Sequence, residues 1–152
     1  MKIMLLSDAA SIHTVRWAQY FAGRGHEVHL LSNNPLDSPL EEVKLHIIKR
    51  IRYIPIISTP INLVLSVIQV RRLAGKNQID LLNAHYISNF GIIGSLTGIH
   101  PFVASAWGSD VLRLGKKPST RKFLVILCMR VADAVTTTAI QTREYVINTF
   151  NL

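Results

Sequence analysis

The chain holds one cysteine in 152 residues, which excludes an intrachain disulfide and leaves hydrophobic burial as the main source of stability. That residue, Cys128, falls inside the apolar run from Phe123 to Met129, so a buried thiol in a reducing, cytoplasmic setting is expected. Acidic residues are scarce: nine Asp and Glu stand against seventeen Lys and Arg, a formal charge of +8 and a pI near 10.1. This balance favours an anionic partner such as phosphate groups, a lipid surface or nucleic acid. The basic residues are scattered and no RNA or DNA motif accompanies them, so nucleic acid is not an expected partner. The opening Met1-Lys2-Ile3-Met4-Leu5-Leu6-Ser7-Asp8 is too short an apolar run for a secretory signal and reads as a first strand. Internal repeats and low-complexity linkers are absent as well.

Catalytic signatures are missing in equal measure. There is no Gly-x-Ser-x-Gly elbow, no phosphate loop and no cysteine and histidine pair in a loop context. The six histidines, His13, His26, His29, His46, His85 and His100, show no metal-ligand spacing, so no metal is expected. The loop Asp8-Ala9-Ala10-Ser11-Ile12-His13 has no glycine to let a pyrophosphate approach the backbone, which argues against a dinucleotide site there.

What is present is a regular alternation. With 49% hydrophobic and 17% charged residues, the chain has enough apolar material for one compact domain over residues 1–152. Lys2 to Ser7 reads as a strand, followed by a helix capped by Ser11 and ended near Arg24 by Gly23 and Gly25. Strands follow at Glu27 to Ser32 and, after a turn rich in Pro and Asp, at Val43 to Lys49. Thr59-Pro60 signals a helix running to Ala74 and ended by Gly75. Asp80 to Ala84 and Phe102 to Ser105 are short strands around a Gly-rich helical stretch from Asn89 to Thr97. Lys116 to Arg130 reads as helix, Ala134 to Thr138 as strand and Ala139 to Phe150 as helix. Strand and helix in alternation predict an α/β, three-layer Rossmann-like domain: a mostly parallel sheet, helices on both faces, right-handed crossovers.

The eighteen residues from Tyr53 to Val70 carry no charge and lie between Arg52 and Arg71-Arg72. Pro55, Pro60 and a polar stripe of Asn62, Ser66 and Gln69 argue against a membrane span. A core helix and a helix facing a partner or an anionic headgroup layer both remain open. Arg71, Arg72 and Lys76 at its end suit the helix dipole and an anionic surface alike.

Ligands in open parallel sheets gather beyond the carboxyl ends of the strands, and three loops converge on that edge. The first, Ser7 to Trp17, brings Ser11, His13 and Thr14 to a helix start, where free N–H groups suit an anion. His13 either bonds its neighbours there or contacts a ligand, while Arg16 and Trp17 are expected to serve packing and surface charge. The second is the corner Asn83-Ala84-His85-Tyr86. The third is Trp107-Gly108-Ser109-Asp110, in which Gly108 allows a tight turn and Asp110 either caps the next short helix or accepts hydrogen bonds from a sugar or ribose hydroxyl.

Taken in order, Met1 to Asp8, Ser11-Ile12-His13-Thr14-Val15-Arg16-Trp17-Ala18, Arg24-Gly25-His26-Glu27-Val28-His29, Ile79 to Tyr86, Ala106-Trp107-Gly108-Ser109-Asp110-Val111-Leu112 and Ala132-Asp133-Ala134-Val135-Thr136 resemble the N-terminal domain of group 1, family 4 retaining glycosyltransferases of the two-domain GT-B fold. The resemblance spans nearly the whole chain. It implies sugar transfer from a nucleotide-sugar donor to a carbohydrate or lipid-linked acceptor, without a metal or other cofactor. It also implies that a C-terminal domain outside this chain holds most of the donor, so that the fragment alone is inactive. Relatives often carry a glycine-rich first loop and a histidine at the end of the fifth strand, where this sequence has Ala9-Ala10 and Trp107. By resemblance, His13, His85 and Asp110 carry over as cleft contacts; with Ser11, Trp107 and Gly108 they make up the expected substrate-binding residues, Asp110 being the catalytic candidate and the Trp107 ring, by its aromatic face, a stacking wall for a sugar. The expected protein is cytoplasmic, with an anionic membrane surface as a further partner. The competing expectation is a non-catalytic α/β module binding an anionic ligand or membrane surface. A receiver-type module fits less well, because Asp8 has no acidic neighbour.

Overall fold

A computed structural model describes residues 1–36, 38–50, 55–114 and 119–150. It contains one six-stranded sheet in the order β3-β2-β1-β4-β5-β6, every neighbouring pair parallel. The strands are β1 (Lys2–Leu6), β2 (Glu27–Ser32), β3 (Val43–Ile47), β4 (Leu81–His85), β5 (Phe102–Ala106) and β6 (Ala134–Thr137). The helices are α1 (Ile12–Ala22), α2 (Pro55–Asn77), α3 (Ile92–Ser95), α4 (Ser109–Leu112), α5 (Thr120–Val131) and α6 (Ile140–Phe150), with a π-helical turn at Tyr86–Gly91 ahead of α3.

Right-handed crossovers then decide which helix covers which face. The step from β1 to β2 moves one way along the sheet, whereas the steps from β3 to β4, β4 to β5 and β5 to β6 move the other way. Among the described residues, α1 is therefore the one helix on its face, packing Ala18 and Ala22 on Ile3, Leu5, Val28 and Leu30. The larger core fills the opposite face, where Met4, Leu6, Leu82, Ala84, Phe102 and Ala104 meet Val70 of α2, Ile93 of α3, Val125 of α5 and Val146 of α6. Cys128 sits in this core, fully buried, and burial pushes its thiol up to about 12.

The three layers are thus unequal. Over β4 to β6, on the α1 side, the sheet presents short polar side chains instead of a helix seat. Thr136 Oγ1 donates to Ser105 Oγ at 2.8 Å, and Ser105 Oγ donates to Asn83 Oδ1 at 3.0 Å.

Three helix boundaries depart from the expected ones. The α2 helix includes Pro60 in its interior instead of starting there; Tyr53 and Ile54, the first residues of the apolar segment, lie outside the described residues. It also runs past Gly75, because the left-handed residue that ends it is Gln78, at φ 53°. Ile79 N–H bonds Ala74 O at 3.1 Å and Gln78 N–H bonds Gly75 O at 3.3 Å, the paired contacts of a Schellman close. The α5 helix starts at Thr120, where Ser119 Oγ accepts from Lys122 N–H at 3.2 Å; Lys116 to Pro118, expected in its first turn, lie outside the described residues. At α1, Ser11 occupies the cap position but its side chain makes no capping bond.

The stretch expected as a helix from Asn89 to Thr97 begins earlier, as the π-helical turn, and its glycines serve close approach. A Cβ on Gly94 would lie 2.7 Å from Phe102 Cε2, inside van der Waals contact. Gly94→Ala is therefore expected to destabilise the chain by about 1–3 kcal/mol through overpacking, read as a lowered midpoint in urea with unchanged slope.

Candidate functional site

Parallel pairing puts the carboxyl ends of β1, β4 and β5 side by side, and alternation along each strand assigns the residues beyond those ends to one face or the other. Asn83 pairs with Leu5 and Val103 with Asn83, so His85 and Trp107 continue the α1 side of the sheet. Tyr86 and the residues around Asp110 open towards the other side. The loops expected to form one cleft line two neighbouring spaces, with the sheet edge between them.

On the α1 side lies an aromatic and histidine box. The Trp107 ring stands between two histidines, its centroid 5.3 Å from that of His13 and 5.3 Å from that of His85. Trp17, on α1, closes the far side at 5.8 Å from His85 and extends to Phe21 at 5.4 Å. Packing is the role expected of Trp17 from sequence; its place against His85 makes it a wall of the box. His85 is fully buried, and neither ring nitrogen has a hydrogen-bond partner among the described residues. Burial alone lowers its pKa to about 4, because a charged imidazolium loses its hydration there without a compensating anion. The ring is neutral at pH 7, with one nitrogen free to donate and the other free to accept.

The first loop leads His13 to this box through a series of local bonds. Asp8 Oδ1 accepts from Ala10 N–H at 3.1 Å and from the Asn34 side-chain amide at 2.9 Å. Ala9 N–H bonds Ser32 Oγ at 2.8 Å. The two hydroxyls Ser7 Oγ and Thr14 Oγ1 meet at 2.6 Å in a buried contact. Ser11 begins the helix two residues before His13, which is exposed at the rim.

Between the two spaces sits Asp110, only 2% exposed. Its Oδ2 accepts from Ile87 N–H at 2.7 Å, and its Oδ1 accepts from Trp107 N–H at 3.0 Å. Burial raises its pKa, opposed by backbone hydrogen bonds from Ile87, Asp110, Trp107 and Gly108. Each oxygen of this carboxylate, the catalytic candidate in sequence, thus holds a backbone N–H of one loop. Asp110 lies within the α4 helix instead of capping it; the cap position is taken by Gly108 at φ 96°, a conformation that glycine supplies. Tyr86, at φ 63°, makes the matching bend after His85, so the anchored Ile87 N–H points at the carboxylate.

On the other side, Tyr86, Ser88, Ser109 and Asp110 line a pocket of about 290 Å³ with Arg113 and Arg121. Arg121 Nη2 donates to Ser88 O and Ser88 Oγ, both at 3.4 Å. Neither arginine is singled out by the sequence; the signal available is the Ser119-Thr120-Arg121 helix start opposite Tyr86-Ile87-Ser88. Among the described residues no group of three His, Cys, Asp or Glu could hold a metal ion, and no helix is long and apolar enough to cross a membrane.

A six-stranded parallel sheet in this order, covered by helices on both faces, matches the Rossmann-like N-terminal half of the GT-B glycosyltransferase fold. The model of the family Glycosyl transferase 4-like matches residues 2–139, and the chain belongs to that family. The fold is similar to that of the sucrose-phosphate synthase of Thermosynechococcus elongatus, with TM-score 0.76 and 17% identity over 97% of this chain and 45% of that one. It is also similar to Acinetobacter baumannii MurG, with TM-score 0.58 and 15% identity over 93% of this chain and 42% of that one. A Glycyrrhiza uralensis protein complexed with glycyrrhetinic acid 3-O-monoglucuronide gives TM-score 0.61 and 12% identity over 99% of this chain and 47% of that one. The chain therefore spans about half the length of these structures. Among curated proteins, none matches it in sequence.

The His85 environment gives a pH signature. A histidine near 6.5 in the unfolded chain and about 4 when folded takes its proton first in the unfolded state, so stability falls as pH drops from 6.5 towards 4. The full loss is about 3 kcal/mol. The His85→Gln variant is expected to flatten this part of the stability curve, measured by urea unfolding at a series of pH values; an unchanged slope would assign the acid sensitivity to other groups.

Proposed function

We propose that this chain is the acceptor-side half of a glycosyltransferase that moves a sugar from a nucleotide-sugar donor to a carbohydrate or lipid-linked acceptor with retention of configuration. The donor nucleotide is held by a C-terminal domain outside residues 1–152, and these residues alone do not turn over. The observation that carries the reading is the box of His13, Trp107, His85 and Trp17 beyond the strand ends, in a chain whose family match covers residues 2–139. An indole face suits the C–H surface of a pyranose ring, and a neutral imidazole with free donor and acceptor suits its hydroxyls. Retention and the nucleotide-sugar donor come from the family resemblance.

In this reading Trp107 and His13 bound the sugar on the acceptor side and His85 bonds a hydroxyl. Ser11 and Gly108 shape the two loops, and Asp110 fixes the loop that carries Trp107. No residue of this chain is assigned the bond-breaking step. The setting is cytoplasmic.

Incubating residues 1–152, and a polypeptide extended through the second domain, with UDP-glucose or GDP-mannose and a panel of sugar acceptors tests the proposal. Nucleotide release and an α-configured product, followed by NMR, are expected from the extended polypeptide and not from residues 1–152. Trp107→Ala in the extended form is expected to raise the acceptor KM about tenfold, the equivalent of one lost stacking contact. A β-configured product overturns retention, and no release with any donor or acceptor overturns the reading.

A second observation favours an anionic membrane surface as partner. Ile61, Val64 and Ile68 are exposed along α2 at helical spacing, and Ile68 shares a groove with Lys49, Arg50 and Arg72. An apolar stripe beside cations suits a headgroup layer. The chain is expected to sediment with phosphatidylserine-containing vesicles and not with pure phosphatidylcholine, the binding falling in high salt and in Val64→Asp. Equal binding to both vesicle types, or none, removes this surface from the proposal.

A further inference from the structure

The arginine pocket does not stand alone. Ser88 and Arg121, which line it, also line a neighbouring groove of about 630 Å³ between α2, the π-helical turn with α3, and α5. The two spaces differ in chemistry. The first is hydroxyl-rich, with Arg113 and Arg121 at its rim; both guanidiniums are exposed, and neither forms an ion pair among the described residues. The one carboxylate there, Asp110, is committed to backbone N–H groups. The second takes most of its exposed lining from apolar atoms, with Pro60 and Leu63 from α2, Ile92 and Ile93 from α3 and Leu124 from α5, while Arg50, Ser66 and Asn89 add polar groups along it. Both volumes fall near or within the range of small-molecule sites, ~300–1,000 Å³.

Two guanidiniums with no ion-pair partner among the described residues, set among hydroxyl donors, match a phosphate group, which planar guanidiniums bind through paired N–H bonds. An apolar groove joined to that pocket through shared residues matches a hydrocarbon chain. We infer that the joined pockets bind an anionic amphiphile: its phosphate lies between Arg113 and Arg121, and its apolar tail lies in the groove between α2, α3 and α5. Under the glycosyl-transfer reading this amphiphile is the lipid-linked acceptor. The site places its head group across the Asp110 clamp from the histidine box, so that a hydroxyl attached near the phosphate reaches the strand ends. The role of acceptor rests on that reading; binding of the amphiphile does not.

Three probes separate the parts: inorganic phosphate, dodecyl phosphate below its micelle concentration, and dodecyl maltoside as a neutral tail. Titration into the chain is followed by calorimetry and by backbone amide NMR. Dodecyl phosphate is expected to bind at least tenfold tighter than inorganic phosphate, and dodecyl maltoside at least tenfold more weakly than dodecyl phosphate. The shifted amides are expected to fall at 86–88, 92–93, 113 and 119–124. Arg113→Gln and Arg121→Gln change exposed residues and are expected to weaken phosphate and dodecyl phosphate alike, about tenfold each. Leu63→Gln is expected to weaken dodecyl phosphate only, with Ile140→Gln, exposed at the start of α6 and lining neither pocket, as the unaffected control for folding.

Equal affinity for phosphate and dodecyl phosphate overturns the tail groove. Equal affinity for dodecyl phosphate and dodecyl maltoside overturns the arginine head site. Binding unaffected by either arginine variant, or shifts elsewhere, overturns the site as a whole. Amphiphile binding at these residues with no nucleotide release in the transfer assay sustains the site and removes the glycosyl-transfer reading. Transfer to a soluble sugar with no amphiphile binding does the reverse.

Discussion

A single buried carboxylate organises the end of the molecule where the loops meet. Asp110 takes one backbone N–H from just past β4 and one from just past β5, and so converts two independent strand ends into one rigid corner. Burial to 2% exposure strips this carboxyl group of hydration and raises its pKa, and backbone amides oppose that shift by bonding its oxygens. The stabilisation flows both ways. The amides of Ile87 and Trp107 are left without ladder partners by the bends at Tyr86 and Gly108, and the carboxylate satisfies them. The Trp107 indole and the turn that follows His85 are held at this corner by that exchange.

The architecture was legible in the sequence because its strands are short apolar runs closed by small or polar residues. Glu27 to Ser32 coincides with β2, and the alternation of strand and helix leaves a parallel sheet with right-handed crossovers as the natural result. Boundaries were less legible where the governing contact is tertiary. Gly75 looks like a stop signal, yet a Schellman close at Gln78 ends α2, since Ala74 faces the core and Ile79 packs over it. The Gly-rich stretch after His85 has helical composition, while its π-helical first turn holds Ile87 against Asp110, a partner 23 residues away that local composition does not reveal.

The candidate site divides in the same way. Motif positions such as His13, His85 and Trp107 could be named because their loops follow strands, and the structure brings those three rings together. Trp17, Arg113 and Arg121 could not be, because their relevance depends on which face of a strand or which end of a helix meets a partner far away in sequence. Register also separates neighbours in the chain: His85 and Tyr86 are consecutive, but they look into different spaces on either side of the sheet edge. One loop thus serves two chemistries.

If the box binds a sugar as proposed, the buried imidazole of His85 filters what it accepts. With its ring neutral and both nitrogens unspent among the described residues, it rewards a visitor that carries a hydroxyl, which donates to one nitrogen or accepts from the other. An anion finds no charge to pair with, and a second cation finds only desolvation. A fully apolar ring would leave both nitrogens as unsatisfied as before. Under the proposed function, discrimination at this position acts through the cost of a polar group left unpaired, which favours uncharged, hydroxylated ligands.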